Sequence, residues 1–432
     1  MTATSAPDRL ARLFARIDQS RDELVALTQA LVRIPTVNPP GEAYTDCAEL
    51  IGRRLAPRGF RVEYLRAAGA RGDTARYPRT NIVARVEGRG PGPCVHFNGH
   101  IDVVAPGAGW TVDPFAGIVR DGKIFGRGTC DMKGGIAAAI IAVEAILAEG
   151  IPFPGAIEIS GTVDEESGGY GGVAWLAERG YFSAPRVDHV IIPEPLQVDR
   201  VCLGHRGVWW AEVEMKGRIA HGSMPFLGVS AIRGMAAFLA AVETELYPAL
   251  QERRTAMPVV PDGARASTLN YNAIHGGLAE DYDGLPAPLV ADSCRLVIDR
   301  RFLIEERLED VRREIVDLLE RTVRERPGLA YRIRDIMTFE PTMTPPDAPV
   351  VRALDAAIER VLGRPAAHIA SPGTYDQKHI ARIGHLHDCV AYGPGLLELA
   401  HQPDEFVAID DMVASAKVMA AATLRLLGVP LA

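Results

Sequence analysis

Cysteines are few in this chain, and they are scattered. The sequence has six cysteines in 432 residues, and no two of them form a CxxC pair. In a chain of this length, such a distribution argues against a disulfide framework as the basis of the fold. We expect the thiols to be reduced and to serve as small, partly buried hydrophobic side chains. They are Cys47, Cys94, Cys130, Cys202, Cys294 and Cys389.

Long hydrophobic runs are also lacking. The longest apolar run covers residues 136–143 and ends at Glu144, which is too short to span a bilayer. Residues 1–20 contain no apolar core and carry acidic side chains early, so no secretory signal is expected. These two absences predict a cytoplasmic protein that does not enter a membrane.

There is no excess of positive charge. Lys and Arg number 47 against 55 Asp and Glu, which gives a net charge of -8. Nucleic acids and anionic membranes are recognised by basic surfaces, so neither is expected as a partner. The sequence also shows no internal repeat and no low-complexity tract.

The length and the order of the predicted elements indicate two domains. Single hydrophobic cores stop growing at roughly 250–300 residues, and this chain has 432. Strands alternate with helices in the first and last parts, which is typical of an α/β fold with a mostly parallel sheet. The middle part instead follows the order β-α-β-β-α-β of the ferredoxin-like split motif. We therefore predict one α/β domain over residues 1–204 and 343–432, with a second domain inserted over residues 205–342.

Individual elements were predicted from hydrophobic period and from turn residues. In the outer parts, the predicted helices cover residues 8–34, 134–149 and 409–427, and the predicted strands cover residues 79–86, 94–98, 156–162 and 189–192. In the insert, the predicted helices cover residues 230–247 and 304–325, and the predicted strands cover residues 208–216, 267–274, 294–302 and 329–339.

Histidine and carboxylate side chains follow several of the predicted strands. His100 and Asp131 come after the strand at 94–98, and Glu194 comes after the strand at 189–192. The adjacent Glu165 and Glu166 follow the strand at 156–162, and a further histidine, His401, lies in a Gly/Pro-rich loop before the last helix. Ligands of open parallel sheets bind at the carboxyl ends of the strands, so we expect these groups to meet at one edge.

These residue types suit a two-metal hydrolytic site. Two divalent ions about 3.5–4 Å apart can share one hydroxide, and a carboxylate such as Asp131 can bridge them. Imidazole and carboxylate ligands suit Zn²⁺ best and also accept Co²⁺ or Mn²⁺. A further carboxylate must move the proton, so the pair of Glu165 and Glu166 can divide into one ligand and one base. Asp102 is placed to accept the second N–H of His100 and to fix its tautomer.

Ten short motifs resemble those of one family of enzymes. They are GHIDVVAP (99–106), WTVDPF (110–115), GRGTCDMKGG (126–135), DEES (164–167), PEP (193–195), HGSMP (221–225), IHGG (274–277), IDRRF (298–302), GTYD (373–376) and HQPDE (401–405). In this order and spacing, over residues 34–407, the chain resembles the M20 metallopeptidase family. That family includes acetylornithine deacetylase, succinyl-diaminopimelate desuccinylase, aminoacylase and carboxypeptidase G-type enzymes.

The resemblance implies a role for each matching residue of the metal site. His100, Asp131 and Glu194 would hold one ion, with Asp131 bridging to a second ion. Glu166 and His401 would complete the second ion, and Glu165 would be the general base and acid. The implied activity is hydrolysis of the amide bond of an N-acyl amino acid by a metal-bridging hydroxide.

The resemblance also implies a dimer and a set of substrate contacts. The inserted domain would be the dimerisation domain and lid, and His221 would reach the active site of the partner subunit to stabilise the carbonyl oxyanion. Asn270 and Arg301 match positions that contact substrate. Gly373 and Thr374 match a loop that cradles the substrate carboxylate.

Because of two departures from the family pattern, the resemblance does not identify the substrate. The first motif has an extra residue, Ala105, which changes the loop after His100 but not the ligand. The GTYD loop carries Tyr375, and it continues to Lys378 where the family usually has Arg; a Lys point charge is not equivalent to an Arg fork in carboxylate recognition. A dipeptidase, or a hydrolase of an aromatic amine or amide on the same site, is therefore the alternative. A non-catalytic small-molecule-binding homologue is the alternative of another class.

Overall fold

A computed structural model describes residues 6–278 and 287–431, with only the backbone of residues 6–8. The prediction that residues 1–20 lack a secretory signal falls partly outside these ranges. The described residues divide into two compact units. The first unit lies within Met1–Gly204, Met343–Ile369 and Tyr375–Ala432, and the second lies within His205–Thr342 and Ala370–Thr374.

Strands and helices alternate along much of the described chain. The strands are β1 (Arg61–Arg66), β2 (Thr80–Glu87), β3 (Cys94–His100), β4 (Ile118–Arg120), β5 (Lys123–Phe125), β6 (Ala156–Thr162), β7 (His189–Ile192), β8 (Arg200–His205), β9 (Gly207–Lys216), β10 (Thr268–Gly276), β11 (Ser293–Phe302), β12 (Ala330–Phe339), β13 (Thr342–Met343), β14 (Ala367–Ser371), β15 (Cys389–Ala391) and β16 (Phe406–Ala408). The α-helices are α1 (Ala6–Gln19), α2 (Arg21–Val32), α3 (Tyr44–Leu55), α4 (Gly134–Ala148), α5 (Trp175–Ala177), α6 (Ala231–Ala241), α7 (Tyr247–Glu252), α8 (Leu308–Arg324), α9 (Pro349–Leu362), α10 (Gln377–Arg382) and α11 (Ile409–Leu426).

The large sheet is mixed rather than mostly parallel. Its order is β1-β2-β6-β3-β7-β15-β8-β13, with β14 beside β8. The four central strands β6, β3, β7 and β15 are parallel, whereas β1 pairs with β2, β2 with β6, and β15 with β8 in the antiparallel sense. Antiparallel neighbours need no helical crossover, and the chain runs from β1 to β2 without a helix. The predicted parallel sheet is correct for its centre only.

The N-terminal helical region is two helices, not one. The predicted helix at 8–34 ends at Gln19, and a second helix starts at Arg21. Ser20 separates them, and its hydroxyl donates to the carbonyl of Arg16 at 3.0 Å. A side chain that bonds to its own preceding turn competes with the helical ladder, which is consistent with a break at this residue.

Helix α4 is the buried helix expected from its apolar sequence. Residues 134–146 are all buried, including Glu144, whose carboxylate pairs with Arg54 at 2.6 Å. Gly135 is required at its start because an added Cβ would lie 1.9 Å from the carbonyl oxygen of Pro193. This close approach brings the start of α4 against the segment that carries Glu194, and so brings two parts of the predicted site together.

The second unit contains the predicted order of elements. Its four strands form an antiparallel sheet in the order β10-β11-β9-β12, and α6 and α8 contribute to one shared core with β9 and β11. Along β9, buried and partly exposed side chains alternate, as expected for a sheet covered on one face. The buried side chains of β9 in this core are Trp209, Ala211, Val213 and Met215.

The structure bears on two expectations, that the cysteines form no disulfides and that no segment spans a membrane. All six cysteines are buried and free of disulfides. Within the described residues, no helix combines the length and the apolar character that crossing a bilayer requires.

Candidate metal centre and active site

Five predicted ligands meet at one edge of the large sheet. His100 is the last residue of β3, Glu166 follows β6, and Glu194 follows β7, three strands that lie side by side and run parallel. Asp131 lies in the turn before α4, and His401 lies in the loop between β15 and β16. The carboxyl ends of neighbouring parallel strands meet at the same edge, which explains why segments distant in sequence converge here.

The ligand atoms form two groups that share Asp131. In the first group, His100 Nε2 lies 3.0 Å from Asp131 Oδ1 and 3.9 Å from Glu194 Oε1. In the second group, His401 Nε2 lies 3.4 Å from Asp131 Oδ2 and 3.1 Å from Glu166 Oε2. Ligand atoms about 2.0–2.2 Å from one zinc ion lie roughly 3 Å apart, so each group has the spacing of a metal site. Asp131 offers one oxygen to each group.

The charges of the cluster also fit metal ions. Three of its members are carboxylates, and burial raises the pKa of Glu166 to about 7. Burial, and then the charge of Asp131, raises the pKa of Glu194 well above its usual range. Hydrogen bonds to Asp131 and Glu166 raise the pKa of His401 to about 10. Without a cation the cluster therefore retains protons, and divalent ions are the natural replacement for them.

Asp102 contacts His100 through its backbone and uses its carboxylate elsewhere. His100 Nδ1 lies 3.0 Å from the carbonyl oxygen of Asp102 and 3.7 Å from its carboxylate. The carboxylate instead accepts the backbone N–H groups of Glu165 at 3.2 Å and Glu166 at 3.1 Å. It also accepts the amide of Asn38 at 2.9 Å. Asp102 thus links the first histidine to the turn that carries both glutamates.

The two adjacent glutamates have different surroundings. Glu166 contacts His401 in the second ligand group, whereas Glu165 Oε1 accepts a hydrogen bond from Lys378 Nζ at 2.8 Å. The choice that the sequence left open between two carboxylates is therefore matched by a difference in position, with Glu166 among the ligands and Glu165 beside them.

One buried ion pair at the site was not predicted from the sequence. Glu405 Oε1 accepts the backbone N–H groups of Cys130 at 2.8 Å and Asp131 at 3.1 Å. Its other oxygen accepts Arg127 Nη1 at 2.5 Å, and both side chains are almost fully buried. Glu405 therefore fixes the backbone of the shared ligand. Its position four residues after His401, within the same HQPDE motif, is the signal that could have indicated it.

The remaining predicted site residues lie in the second unit. His221 is exposed in the loop after β9, and its Nδ1 lies 2.7 Å from Ser223 Oγ. Asn270 is on β10, and Arg301 is on β11, where its guanidinium pairs with Asp299 at 2.7 and 3.0 Å. Asp299 and Arg301 share one face of that strand, as the two-residue period predicts.

The residues of the GTYD loop divide between the two units, and Tyr375 is the departure from the family pattern within this motif. Gly373 and Thr374 belong to the second unit, and the Gly373 N–H donates to Ser371 Oγ at 3.1 Å. Tyr375 belongs to the first unit, where it is buried and its hydroxyl donates to Gln377 Oε1 at 2.6 Å. The tyrosine ring therefore fills protein interior and does not present its bulk to a ligand.

Known proteins similar to this chain belong to a family of metallopeptidases. The sequence profile of peptidase family M20/M25/M40 matches residues 96–425 of the chain. The chain belongs to this family. The matched range of this M20 protein contains all five predicted ligands, Glu165 and Lys378.

Individual relatives cover nearly the whole M20 chain. A succinyl-diaminopimelate desuccinylase of Methylobacterium nodulans is 32% identical over 410 residues, covering 90% of this chain and 92% of its own. An acetylornithine deacetylase of Myxococcus xanthus is 30% identical over 405 residues, covering 93% and 97%. Human carnosine dipeptidase 1 has the same fold, with a TM-score of 0.75 at 21% identity over 97% of this chain and 99% of its own. The protein is a metal-dependent hydrolase of the M20 family.

Proposed function

We propose that this M20 protein hydrolyses the amide bond of an N-acyl amino acid or a closely related small molecule, as a deacetylase or desuccinylase does. One observation carries the proposal: two ligand groups share Asp131, and Glu165 lies next to them without belonging to either. Two relatives that are at least 30% identical, a desuccinylase and a deacetylase, support this class of substrate.

Two divalent ions would be held by the two groups. His100, Asp131 and Glu194 would bind one, and Asp131, Glu166 and His401 would bind the other. Two imidazoles and three carboxylates suit Zn²⁺, and also Co²⁺ or Mn²⁺. When bound, the ions supply activation of a water molecule and polarisation of the amide carbonyl.

Glu165 moves the proton in this proposal. Its carboxylate takes a proton from the attacking water as the water oxygen bonds to the carbonyl carbon. As the C–N bond breaks, the same carboxyl group delivers that proton to the leaving nitrogen, so that one carboxylate serves as base and then as acid. Asp102 supports this role because it holds the backbone of the turn on which Glu165 lies.

The second unit would act as lid and dimerisation domain. His221 is exposed, and three apolar side chains within six residues of it along the chain are each more than half exposed; exposed apolar surface of this kind marks interaction surfaces. We propose that the patch contacts a second copy of the chain and that His221 of the partner subunit stabilises the carbonyl oxyanion. The three apolar residues are Ile219, Phe226 and Leu227, with exposed fractions of 57%, 78% and 54%.

Mixed dimers test the sharing of the active site. E165A and H221A should each be inactive alone. After the two proteins are mixed and allowed to exchange subunits, activity should return, because each mixed dimer has one site with an intact Glu165 and an intact His221 of the partner subunit. If mixing restores nothing while light scattering shows dimers that exchange, His221 does not act across the interface.

The remaining assignments of the proposal concern substrate and location. Asn270 and Arg301 would contact the substrate, Gly373 and Thr374 would cradle its carboxylate, and the protein would act in the cytoplasm. A dipeptide or an aromatic amide is the second candidate substrate, because the GTYD loop departs from the family pattern at Tyr375 and Lys378. A binding protein without activity is disfavoured because all five ligands and Glu165 are present.

Metal content and turnover measured together test the function. Elemental analysis should find two Zn²⁺, Co²⁺ or Mn²⁺ ions per chain, with turnover of N-acetylornithine or N-succinyl-diaminopimelate. Glu165→Ala should abolish turnover and leave the metal content unchanged, since Glu165 lies outside both ligand groups. Turnover only of dipeptides or aromatic amides would select the second candidate. A protein that binds no metal after loading would overturn the mechanism.

A further inference from the structure

We propose that Lys378 is a positioning residue for Glu165: its ammonium group holds one oxygen of the carboxylate and so directs the other oxygen toward the reacting water. This inference rests on the proposed function, in which Glu165 transfers the proton. It assigns Lys378 to the catalytic carboxylate and not to the carboxylate of a substrate.

The contact between the two residues is short and buried. Lys378 Nζ lies 2.8 Å from Glu165 Oε1, and the two side chains are 2% and 12% exposed. A charge-assisted hydrogen bond of this length fixes the direction of the acceptor more tightly than a neutral one. Since Oε1 is engaged, Oε2 is the oxygen that remains for a proton.

The backbone that carries Lys378 is itself fixed. Lys378 is the second residue of the short helix α10, directly after Gln377. The Gln377 amide donates to the carbonyl oxygens of Leu203 at 3.1 Å and Cys389 at 2.7 Å, and to Thr344 Oγ1 at 3.0 Å. The hydrogen bonds of Gln377 thus fix the backbone that carries the ammonium group, as a positioning residue requires.

Its surroundings keep Lys378 charged. Burial by itself lowers the pKa of a lysine, but the nearby carboxylates of Glu165 and Asp376 raise it above its usual value. A buried ammonium without a carboxylate partner would be expensive, so the pair is mutually dependent. A lysine that is held charged in the interior beside the proton-transferring group is suited to orient that group.

Steady-state kinetics separate this role from substrate binding. If Lys378 orients Glu165, K378M should lower kcat by about 10- to 100-fold, a part of the usual contribution of general acid–base catalysis, with KM changed by less than about twofold. K378R should recover part of kcat, because it restores a cation to the same carboxylate with the different geometry of a guanidinium group. K417M is the matched control, since Lys417 is a partly exposed lysine that pairs with another carboxylate, that of Asp18, at 2.7 Å. A rise in KM at constant kcat would assign Lys378 to the substrate and overturn the proposal.

A measurement without turnover tests the pairing independently. The unfolding equilibria of the metal-loaded wild type, K378M, E165Q and the double variant form a thermodynamic cycle. We expect each single change to shift the unfolding constant by about tenfold or more, and the double variant by clearly less than the product of the two. If the shifts simply multiply, the two side chains do not depend on each other and the proposal is wrong. A K378M protein too unstable to purify, rescued by adding E165Q, would show the same dependence.

The two tests also distinguish failure of this inference from failure of the proposed function. A wild type that hydrolyses no amide, yet shows strong coupling in the cycle, overturns the function and keeps the pairing. An active wild type with an unchanged kcat in K378M overturns the positioning role alone.

Discussion

The charge of Glu405 offers the sharpest prediction about the metal centre. Glu405→Gln keeps the shape of the side chain but removes the negative charge that pairs with the buried Arg127. The amide oxygen could still accept the backbone N–H groups of Cys130 and Asp131, but its NH₂ group would then face the guanidinium, donor against donor. The substitution therefore disturbs the ion pair and the backbone of the shared ligand at once.

The structure sets the expected size of both effects. Removing one partner of a buried ion pair costs about 3–5 kcal/mol, and the Arg127 and Glu405 side chains are 1% and 0% exposed. We therefore expect E405Q to lose about 3–5 kcal/mol of unfolding free energy. Groups that orient metal ligands affect metal affinity by about 10- to 100-fold, so metal binding should weaken by that factor.

Chemical denaturation and metal titration of the same preparations measure the two effects. Urea unfolding should be followed on metal-free protein, so that ligand stabilisation does not enter, and zinc affinity by competition with a chelator. E398Q, at an exposed glutamate earlier in the same loop, is the matched control and should behave as the wild type. The double variant R127M/E405Q should be more stable than E405Q, because it no longer buries an unpaired charge.

The result that would refute this reasoning is an E405Q protein with wild-type stability and wild-type zinc affinity. It would mean that the contacts of Glu405 with Arg127 and the Asp131 backbone carry no net energy. A loss of stability without loss of zinc affinity would refute only the second part, that the backbone N–H contact positions the ligand.

Two further predictions concern protons. In the metal-free cluster the pKa of His401 is raised to about 10 and that of Glu166 to about 7, so zinc loading at neutral pH should release protons and zinc affinity should rise with pH. A pH indicator in weak buffer would measure the proton release, and zinc titrations across a pH series would measure the affinity. A zinc affinity that does not change with pH would contradict this prediction. Glu158 is buried, which alone would raise its pKa, but His96, Arg186 and Arg85 lower it to about 2 from its ordinary value of 4.5. The stabilising contribution of the Glu158 carboxylate is therefore present above about pH 4.5 and is lost as the pH falls toward 2. The difference in unfolding free energy between the wild type and E158Q should narrow over that range in acid denaturation experiments. A constant difference would show that the carboxylate is not held in its charged form.

The sequence by itself determined many of the elements and the list of candidate metal ligands. An apolar segment ended by Gly150 located α4, and hydrophobic period and turn residues located α11 and the order of strands and helices in the second unit, because these signals depend only on neighbours along the chain. The ligands His100, Glu166 and Glu194 could be listed because each ends or follows a strand that lies inside a parallel group. Strand ends are local features, and the edge at which they meet follows from the topology.

Only the tertiary structure decided which side chains contact one another at the site. Residue chemistry alone could not separate Glu165 from Glu166, and only the family resemblance did so, because adjacent carboxylates have the same chemistry until their partners are known. Lys378 is 213 positions from Glu165, and Glu405 is 274 positions from Asp131, so no local pattern connects either pair. The mixed pairing of the large sheet was missed for the same reason, since the direction of a neighbouring strand depends on the path of the chain between them. Long-range contacts are set by the packing of the whole fold, and that is where the arrangement of this active site was decided.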